Sequence, residues 1–415
     1  MLSDDLRRRR LVHQVTDDDL LRLLDDGPVT VYTGFDPTAA SLHVGHLLPL
    51  LTLRRFQLAG HRPIALAGGG TGMVGDPGGR EGERALLGPD ELRANLEGIR
   101  PQLARFLDLD GALLLDNVAW LGEARLLGFL RDVGKHFTVN QMVAKESVRS
   151  RTEQGISYTE FSYMLLQAYD FLRLHCDHDC QVQVGGSDQW GNITMGVELV
   201  RKVTGDRVHG MTTPLLTKPD GAKYGKTATG TVWLDPARTS PYRLYQFFLQ
   251  AEDAAVGTYL RQLTFLPVDE ITSLDDETAT RPERRAAQQA LARAVCDLVH
   301  GRPAAERAER ASRALFGEEL AALDEPTLLE VVSDAPSTDL ARDLLGGGLP
   351  VLDALVRSGL AASRGEARRV MAQGGAYVNN HRVDDGAALA IDDLLHDRYV
   401  VLRRGRRDQH LLRFG

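Results

Sequence analysis

Two lysines stand three residues apart in the stretch DGAKYGKTATG, which occupies residues 220–230. The chain has 43 arginines and six lysines, so the use of lysine at both Lys223 and Lys226 sets this stretch apart. Its glycines and threonines predict a mobile loop. Lysine carries a compact charge on a flexible stem, whereas arginine presents a rigid planar fork. The question is which anionic ligand needs two ammonium groups in this loop.

A second candidate anion site lies in GFDPTAASLHVGHLLPLL. Proline is tolerated in the first turn of a helix, so Pro49 predicts a helix that begins near Gly45 to Leu47. His43 and His46 then lie at a helix N-terminus, where unpaired backbone N–H groups and the helix dipole favour a phosphate. The alternative is that both histidines are surface residues without a ligand.

A polar stripe runs along the helix predicted over residues 159–174. Tyr163, Gln167 and Asp170 are spaced i, i+4, i+7, so they project from one face of a mostly apolar helix. Buried polar groups need hydrogen-bond partners. Either a bound ligand or an internal hydrogen-bond network can supply them.

Two other motifs favour a structural interpretation. The segment Gly70–Gly75 satisfies G-x-G-x-x-G, but Asp76 and Pro77 follow it, and they favour a turn over the helix that a dinucleotide site requires. We expect a glycine-rich loop at a strand end. The cluster His175–Cys180 packs four possible metal ligands into six residues without a second ligand pair nearby, so we expect turn residues and no bound metal.

The elements that carry these motifs alternate between strand and helix through the first half of the chain. Strands are predicted over 29–34, 63–70, 112–116 and 181–186, which indicates an α/β fold with a Rossmann-like, doubly wound parallel sheet. Beyond residue 235 the pattern is almost wholly helical, then a Pro, Ser and Gly-rich stretch precedes a small α+β module. The predicted domains are a catalytic domain with an inserted helical dimerisation segment (1–232), an α-helical domain (233–333), a linker (334–348) and the module (349–415).

Composition narrows the class of protein. The net charge is −8, but residues 349–415 hold 11 Arg against 8 acidic residues, which favours a local nucleic-acid contact on an acidic body. No apolar run is long enough to span a membrane, no secretory signal is expected, and three cysteines fit a reducing cytosol. The run Arg7–Arg10 is expected to be a solvated helix face.

Six ordered motifs carry a family resemblance. HVGH at His43–His46 resembles the HIGH signature of class I aminoacyl-tRNA synthetases, and KYGKT at Lys223–Thr227 resembles their KMSKS signature. GDPGGR, DVGKHFTVNQMVAKESV, EFSYMLLQAYDFL and QVGGSDQWGNIT are similar to bacterial tyrosyl-tRNA synthetases. The resemblance covers essentially the whole chain, and the C-terminal module resembles the S-four type of RNA-binding domain.

The resemblance implies an activity and its partners. Members of this family activate L-tyrosine with ATP, release pyrophosphate, and transfer tyrosine from tyrosyl adenylate to the 3′ end of its tRNA. ATP is expected to enter with Mg²⁺ as a substrate complex, without a tightly bound cofactor. The family is homodimeric, which implies an interface around residues 120–170. A cytoplasmic location and no contact with a membrane are also expected. A tryptophan-specific relative and a catalytically silent RNA-binding paralogue are the alternatives.

The resemblance also implies residue roles. The implied catalytic residues are Thr38, His43, His46, Lys223, Lys226 and Thr227. The implied tyrosine contacts are Tyr32, Asp76, Tyr163, Gln167, Asp170 and Gln189. The implied ATP contacts are Gly34, Asp36, His43, Gly45, His46, Asp188 and Lys226. Arg80 and Arg84 are read as further phosphate or loop contacts, although the family commonly has Lys where Arg80 stands. The implied tRNA contacts are Arg364, Arg368 and Arg369.

Overall fold

The chain is described by a computed structural model over residues 1–77, 87–145, 148–149, 155–221, 224, 226–227, 230–316, 320–333, 335–405 and 408–415. These residues fall into two compact units. The first comprises Met1–Ser240 and Phe247–Val299, and the second comprises Pro241–Gln246 and His300–Gly415. No helix formed by the described residues is long and apolar enough to cross a membrane.

The first unit is built around one sheet. Its strands are β1 (Gln14–Val15), β2 (Thr30–Phe35), β3 (Arg62–Ala67), β4 (Leu113–Asp116), β5 (Cys180–Gly186) and β6 (His209–Thr213). Over the described residues their order is β1-β6-β5-β2-β3-β4, with β2 to β6 parallel and β1 antiparallel at the edge. The prediction of a doubly wound parallel sheet is confirmed.

The strand order explains where a ligand site forms. The chain adds β3 and β4 on one side of β2, and then β5 and β6 on the other side. The side on which successive strands are added therefore reverses between β2 and β5, although these strands are parallel, and open α/β sheets bind ligands in the crevice at that point. Both strands are largely buried, as expected for parallel strands covered on both faces.

The helices up to residue 300 belong to the first unit, except that the second unit takes Pro241–Gln246 of the tenth helix and His300 at the end of the last. They are α1 (Leu2–Arg8), α2 (Asp19–Asp26), α3 (Leu47–Leu58), α4 (Pro89–Phe106), α5 (Val118–Leu121), α6 (Leu126–Asp132), α7 (Val139–Val143), α8 (Tyr158–His178), α9 (Trp190–Thr204), α10 (Pro241–Leu249), α11 (Asp253–Leu263), α12 (Val268–Thr280) and α13 (Ala286–His300). A hairpin of β7 (Lys226–Thr227) and β8 (Gly230–Thr231) lies between α9 and α10 in the sequence. The Ser157 hydroxyl accepts from the N–H of Glu160 and caps α8, which ends at Asp179 in the left-handed conformation.

The second unit contains the C-terminal module. Its elements are α14 (Arg302–Phe316), α15 (Glu325–Val331), β9 (Ser337–Leu340), β10 (Leu349–Pro350), α16 (Val351–Arg357), α17 (Arg364–Ala372), β11 (Ala376–Val378), β12 (His381–Arg382), β13 (Ala388–Leu389), β14 (Tyr399–Arg404) and β15 (Asp408–Phe414). Its larger sheet has the order β12-β11-β14-β15-β9 over the described residues. Residues 337–340 pair in parallel with β15, so this part of the predicted linker belongs to the sheet.

The arginine run near the N-terminus differs from its expected solvated face at one position. Arg9 is buried, and it donates to Asp5 Oδ1 at 2.7 Å and to the Leu266 carbonyl at 2.8 Å. Arg55 of α3 is also buried, and it donates to the other Asp5 oxygen and to the Thr264 carbonyl. Burial lowers the pKa of Arg55 to about 10, and the Arg9 charge adds to this effect. The prediction of a solvated face is wrong for Arg9. Arg9 and Arg55 of α3 together bind Asp5 of α1 and the backbone carbonyls of residues 264 and 266, so Arg9 is buried between these segments.

Candidate active site

A cavity of about 690 Å³ opens at the carboxyl ends of β2 and β5. Its walls come from these strands, the HVGH segment, the loop after β3, and α8. The residues predicted from the sequence that line it are Tyr32, Gly34, Asp36, Thr38, His43, Gly45, His46, Asp76, Tyr163, Gln167, Asp170, Asp188 and Gln189. The fold thus brings together side chains that lie more than 150 residues apart in the sequence.

The predicted cationic residues are less fully described. Arg80, Arg84 and Lys223 lie outside the described residues. Lys226 and Thr227 are described by their backbone, which forms β7. Two neighbours of these residues, Tyr224 and Thr231, line the cavity, so the described parts of the lysine stretch border the site.

The two histidines of HVGH are locked in one tautomer by the backbone. The Nδ1 atom of His43 accepts from the N–H of Gly45, and the Nδ1 atom of His46 accepts from the N–H of His43, both at 3.0 Å. A nitrogen that accepts carries no proton, so each neutral imidazole holds its proton on Nε2. The two ring centroids are 3.9 Å apart. The helix α3 begins at Leu47, as the sequence predicts.

Gly45 is required by the packing of the first histidine. A Cβ atom at this position would lie 2.8 Å from Cε1 of His43, a distance that real Cβ contacts do not show. A larger residue would therefore displace the imidazole ring from its hydrogen bond.

The buried carboxyl group of Asp170 is held from both sides. It is 2% exposed, and it accepts from Trp120 Nε1 at 2.7 Å and from Asn117 Nδ2 at 2.9 Å. Burial raises the pKa of Asp170 to about 7; the two hydrogen bonds oppose this shift and nearby carboxylates such as Asp36 add to it. Tyr32 lines the same cavity, and its buried hydroxyl has no hydrogen-bond partner in the described part of the chain.

A second acidic cluster faces the cavity from β2 and the loop after β3. The hydroxyl of Tyr163 donates to Asp36 Oδ2 at 2.9 Å, and Thr71 donates to Asp36 Oδ1 at the same distance. The amide of Gln189 donates to Asp76 Oδ2 at 2.5 Å. Burial, together with the charges of Asp36 and Asp76, raises the pKa of Tyr163, so its hydroxyl stays protonated and acts as the donor to Asp36.

The polar stripe of α8 is satisfied by neighbours and also faces the cavity. Tyr163 and Asp170 bond as described above, and Gln167 Oε1 accepts from Asn192 Nδ2 at 3.0 Å. The same amide group of Asn192 donates to Gln189 Oε1 at 3.3 Å. Internal partners therefore orient these side chains while leaving them at the cavity wall.

Family models match most of the chain. The model described as tRNA synthetases class I (W and Y) matches residues 24–317, and the tyrosine–tRNA ligase SYY-like C-terminal domain matches residues 328–412. The chain is 54% identical over 420 residues to the tyrosine–tRNA ligase of Roseiflexus castenholzii, with 99% of both chains covered. It is 55% identical to that of Opitutus terrae, with 98% of both covered.

This chain belongs to the tyrosine–tRNA ligases. A solved relative in the same family is the C-terminally truncated mitochondrial tyrosyl-tRNA synthetase of Aspergillus nidulans, with 36% identity and a TM-score of 0.69 over 76% of this chain and 94% of that chain. The tryptophanyl-tRNA synthetase of Plasmodium falciparum has 12% identity and a TM-score of 0.54, which shows a shared fold alone.

Several cavity residues of this tyrosine–tRNA ligase were missed in the sequence. Asn117 lines the cavity directly after β4, and a polar residue after a strand end was the available signal. Trp120 does not line the cavity but donates to Asp170, and no sequence signal pointed to it. Thr71 lay in the glycine loop. Gln183 is 3% exposed, lines the cavity, and its Oε1 has no partner within the described ranges. Its signal was a glutamine in the middle of a buried strand.

The cluster His175–Cys180, for which no bound metal is expected, makes other contacts in this tyrosine–tRNA ligase. His175 Nδ1 lies 3.0 Å from the Cys180 carbonyl oxygen, and its Nε2 lies 3.1 Å from Asp206 Oδ2. The Cys180 thiol is fully buried, and burial raises its pKa. Among the residues that the structure describes, no three His, Cys, Asp or Glu side chains are grouped to hold a metal.

The three candidate tRNA contacts of this ligase lie on α17 and are exposed. Arg364 Nε lies 2.8 Å from Asp353 Oδ1, and Arg368 Nε lies 3.7 Å from Asp385 Oδ2. Acidic neighbours therefore offset part of the positive charge contributed by Arg364 and Arg368 along this helix.

Proposed function

We propose that the cavity binds L-tyrosine and ATP, forms tyrosyl adenylate and pyrophosphate, and then transfers tyrosine to the 3′ end of its tRNA. The observation that carries this proposal is the unpartnered hydroxyl of Tyr32, which lines the same cavity as the carboxyl group of Asp170. A buried hydroxyl without a partner costs free energy, so a polar ligand group at this point is favoured.

A tyrosine phenol fits these two groups. Its O–H donates to the carboxylate of Asp170 and its oxygen accepts from the hydroxyl of Tyr32. Phenylalanine leaves the Tyr32 hydroxyl without a partner and gives Asp170 no donor in place of the phenol, and tyrosyl-tRNA synthetases are themselves the established example of this effect, with roughly 10⁵-fold discrimination. The indole of tryptophan has no hydroxyl for the pair, which argues against the tryptophan-specific alternative.

The acidic cluster suits the ammonium group of the amino acid. The carboxylate of Asp76 is held by Gln189, and the hydroxyl of Tyr163 is held by Asp36, which stays a proposed ATP contact. The positions of Asp76 and Tyr163 are therefore set before the substrate binds. Gln167 contributes a side-chain oxygen beside them on the cavity wall. Charge-assisted hydrogen bonds to such oxygens orient the carboxylate of the substrate toward ATP.

Activation requires a carboxylate oxygen of tyrosine to bond to the α-phosphorus of ATP while the bond to pyrophosphate breaks. The Nε2–H groups of His43 and His46 are donors that stabilise the charge developing at the phosphates. Thr38, Lys223 and Lys226 are proposed to add donors, and Thr227 a hydroxyl. Gly34, Gly45 and Asp188 are proposed ATP contacts, with Arg80 and Arg84 as further phosphate or loop contacts. Mg²⁺ arrives with ATP and needs few protein ligands.

The exchange of labelled pyrophosphate into ATP tests this function across the amino acids. We expect tyrosine to support exchange and tryptophan and phenylalanine to support none above background. No exchange with tyrosine would overturn the proposal. Exchange without charging of tRNA would restrict it to the first half-reaction. Asp170→Ala serves as the site control, since normal tyrosine activation by that variant would remove the phenol assignment.

We further propose that the chain acts as a homodimer in the cytoplasm. Leu126, Leu127, Val139 and Tyr158 are between 65% and 80% exposed, an unusual apolar surface in the segment expected to form the interface. Leu127→Asp should give a monomer in sedimentation velocity. Leu58→Asp changes a leucine that is 61% exposed elsewhere and should leave the dimer intact. A dimer in both variants would overturn this proposal.

Transfer to tRNA is proposed to use the exposed arginines of α17. The variant Arg364→Gln, Arg368→Gln, Arg369→Gln should raise KM for tRNA, because backbone phosphates are held by such charges, and should leave pyrophosphate exchange unchanged. Arg357→Gln, on the preceding helix, tests whether general loss of positive charge has the same effect.

A further inference from the structure

The HVGH segment is joined through the backbone to the residues that follow the lysine hairpin, which is the hairpin of β7 and β8. Trp233, two residues beyond β8, lies opposite His43 in an antiparallel bridge. The N–H of Val44 donates to the Val232 carbonyl at 3.0 Å. On the other side of the bridge, the N–H of Leu234 donates to the Leu42 carbonyl at 2.9 Å. The strand that leaves the lysine hairpin is therefore paired with the HVGH segment.

Trp233 is held between two charged or aromatic groups. Its ring meets the His43 imidazole edge-on, with centroids 6.2 Å apart and planes at 64°. The guanidinium carbon of Arg238 lies 4.3 Å from the centroid of the indole ring. The backbone N–H of Trp233 donates to the hydroxyl of Thr239 at 3.0 Å. Arg238 and Thr239 therefore add contacts to the Trp233 side chain and backbone from outside the HVGH segment.

The imidazole of His43 receives contacts from two directions. Gly45 and His46 hold it from within its own segment, through the Nδ1 hydrogen bond and the 3.9 Å ring contact. Trp233 contacts it from the segment that continues the hairpin. Backbone pairing joins Lys226 to Thr231, and Val232 alone separates Thr231 from Trp233.

We propose that Trp233 is a positioning residue that couples the lysine hairpin to the orientation of His43 during attack on the α-phosphorus. It acts through His43 and touches no reacting atom. The inference rests on the proposed function for its catalytic consequence, while the contact between the two rings stands on the structure.

A double-mutant cycle tests the coupling. Trp233→Leu should lower kcat of tyrosine-dependent pyrophosphate exchange about tenfold, since small misplacement of a catalytic group is costly, and should leave the Kd for tyrosine within twofold. Trp233→Phe, which keeps a ring, should recover most of the rate. In a His43→Asn background the effect of Trp233→Leu should shrink to less than twofold, because the positioned ring is absent. Effects that multiply in the double variant would overturn the proposal.

A matched aromatic control addresses general destabilisation. Phe265 also stacks with an arginine in the first unit, at 4.4 Å from Arg55, and lines no part of the cavity. Phe265→Leu should leave kcat unchanged even where it lowers the Tm as much as Trp233→Leu does. An equal loss of kcat in both variants would reduce Trp233 to a structural role.

A readout without catalysis separates this inference from the proposed function. NMR spectra are recorded on protein with isotope-labelled histidines. The imidazole resonance that is absent from the spectrum of the His43→Asn variant belongs to His43. That resonance should move in Trp233→Leu and stay in place in Phe265→Leu. An unmoved resonance would overturn the coupling. A moved resonance in a protein that shows no exchange would keep the coupling and overturn the proposed function.

Discussion

The indole N–H of Trp120 donates a 2.7 Å hydrogen bond to Oδ1 of Asp170, in a site where that carboxyl group is 2% exposed. Together with Asn117, this contact fixes both carboxyl oxygens before any ligand binds. An oriented acceptor reduces the reorganisation that binding requires. We therefore expect discrimination at the proposed phenol end of the cavity to depend on residues of α5 and its cap as well as on Asp170.

The raised pKa of Asp170 makes the stability of the ligand-free protein depend on pH. With a pKa of about 7 in the fold and an ordinary pKa of 3.8 in the unfolded chain, the native state binds the proton more tightly than the unfolded state. The stabilisation is complete below pH 4 and is lost as pH rises to about 7. The free energy of unfolding should fall by on the order of 4 kcal/mol relative to Asp170→Asn across this range. Urea unfolding at several pH values measures it, and parallel curves for the two proteins would contradict it.

Tyr32→Phe removes a buried hydroxyl that has no partner in the described part of the chain. The ligand-free protein should become more stable by about 1–3 kcal/mol, because the desolvation cost of that group disappears. The KM for tyrosine should rise about tenfold, since one hydrogen bond to the substrate is lost. Calorimetry and pyrophosphate exchange measure the two effects. A variant that is both less stable and equally active would argue against the assignment.

Gly45→Ala places a methyl group against the imidazole of His43. We expect kcat for pyrophosphate exchange to fall at least tenfold, with tyrosine binding unchanged, because the displaced ring no longer presents its Nε2–H. Gly128→Ala is the matched control, since a Cβ there meets nothing within 4 Å. A Gly45→Ala enzyme of normal kcat would show that the ring orientation is unimportant.

Asp5 holds two buried guanidinium groups, those of Arg9 and Arg55. Asp5→Asn leaves both arginines without their shared carboxylate, and removal of one partner from a buried pair costs roughly 3–5 kcal/mol. The side chain of Asp5 is 36% exposed, so we expect a value at or below the lower end. Asp4→Asn changes an exposed neighbour and should have no effect in the same urea titration. Equal midpoints for the two variants would refute the role of Asp5.

Local pattern was enough to predict the parallel sheet, the start of α3 and the polar face of α8, because periodicity and proline position act within a few residues. The hydrogen-bond partners of the site side chains could not be predicted from the sequence. Asn117 and Trp120 meet Asp170 across 50 residues or more of sequence, and no spacing rule links them. Arg9 was misjudged for the same reason, since the carbonyls that accept from it lie more than 250 residues away. Strand β9 was not predicted, because four residues at the edge of a sheet show little alternation of apolar and polar side chains.

To a protease such as trypsin, the sequence RRRR is a series of adjacent cleavage sites. In the folded chain Arg9 is 5% exposed, and its guanidinium is bonded to carbonyls that follow α11. A protease must draw several residues into an extended form, so one immobilised residue protects its neighbours. Cleavage at this run therefore reports how often α1 separates from the rest of the first unit, and the N-terminal segment carries a built-in probe of local opening.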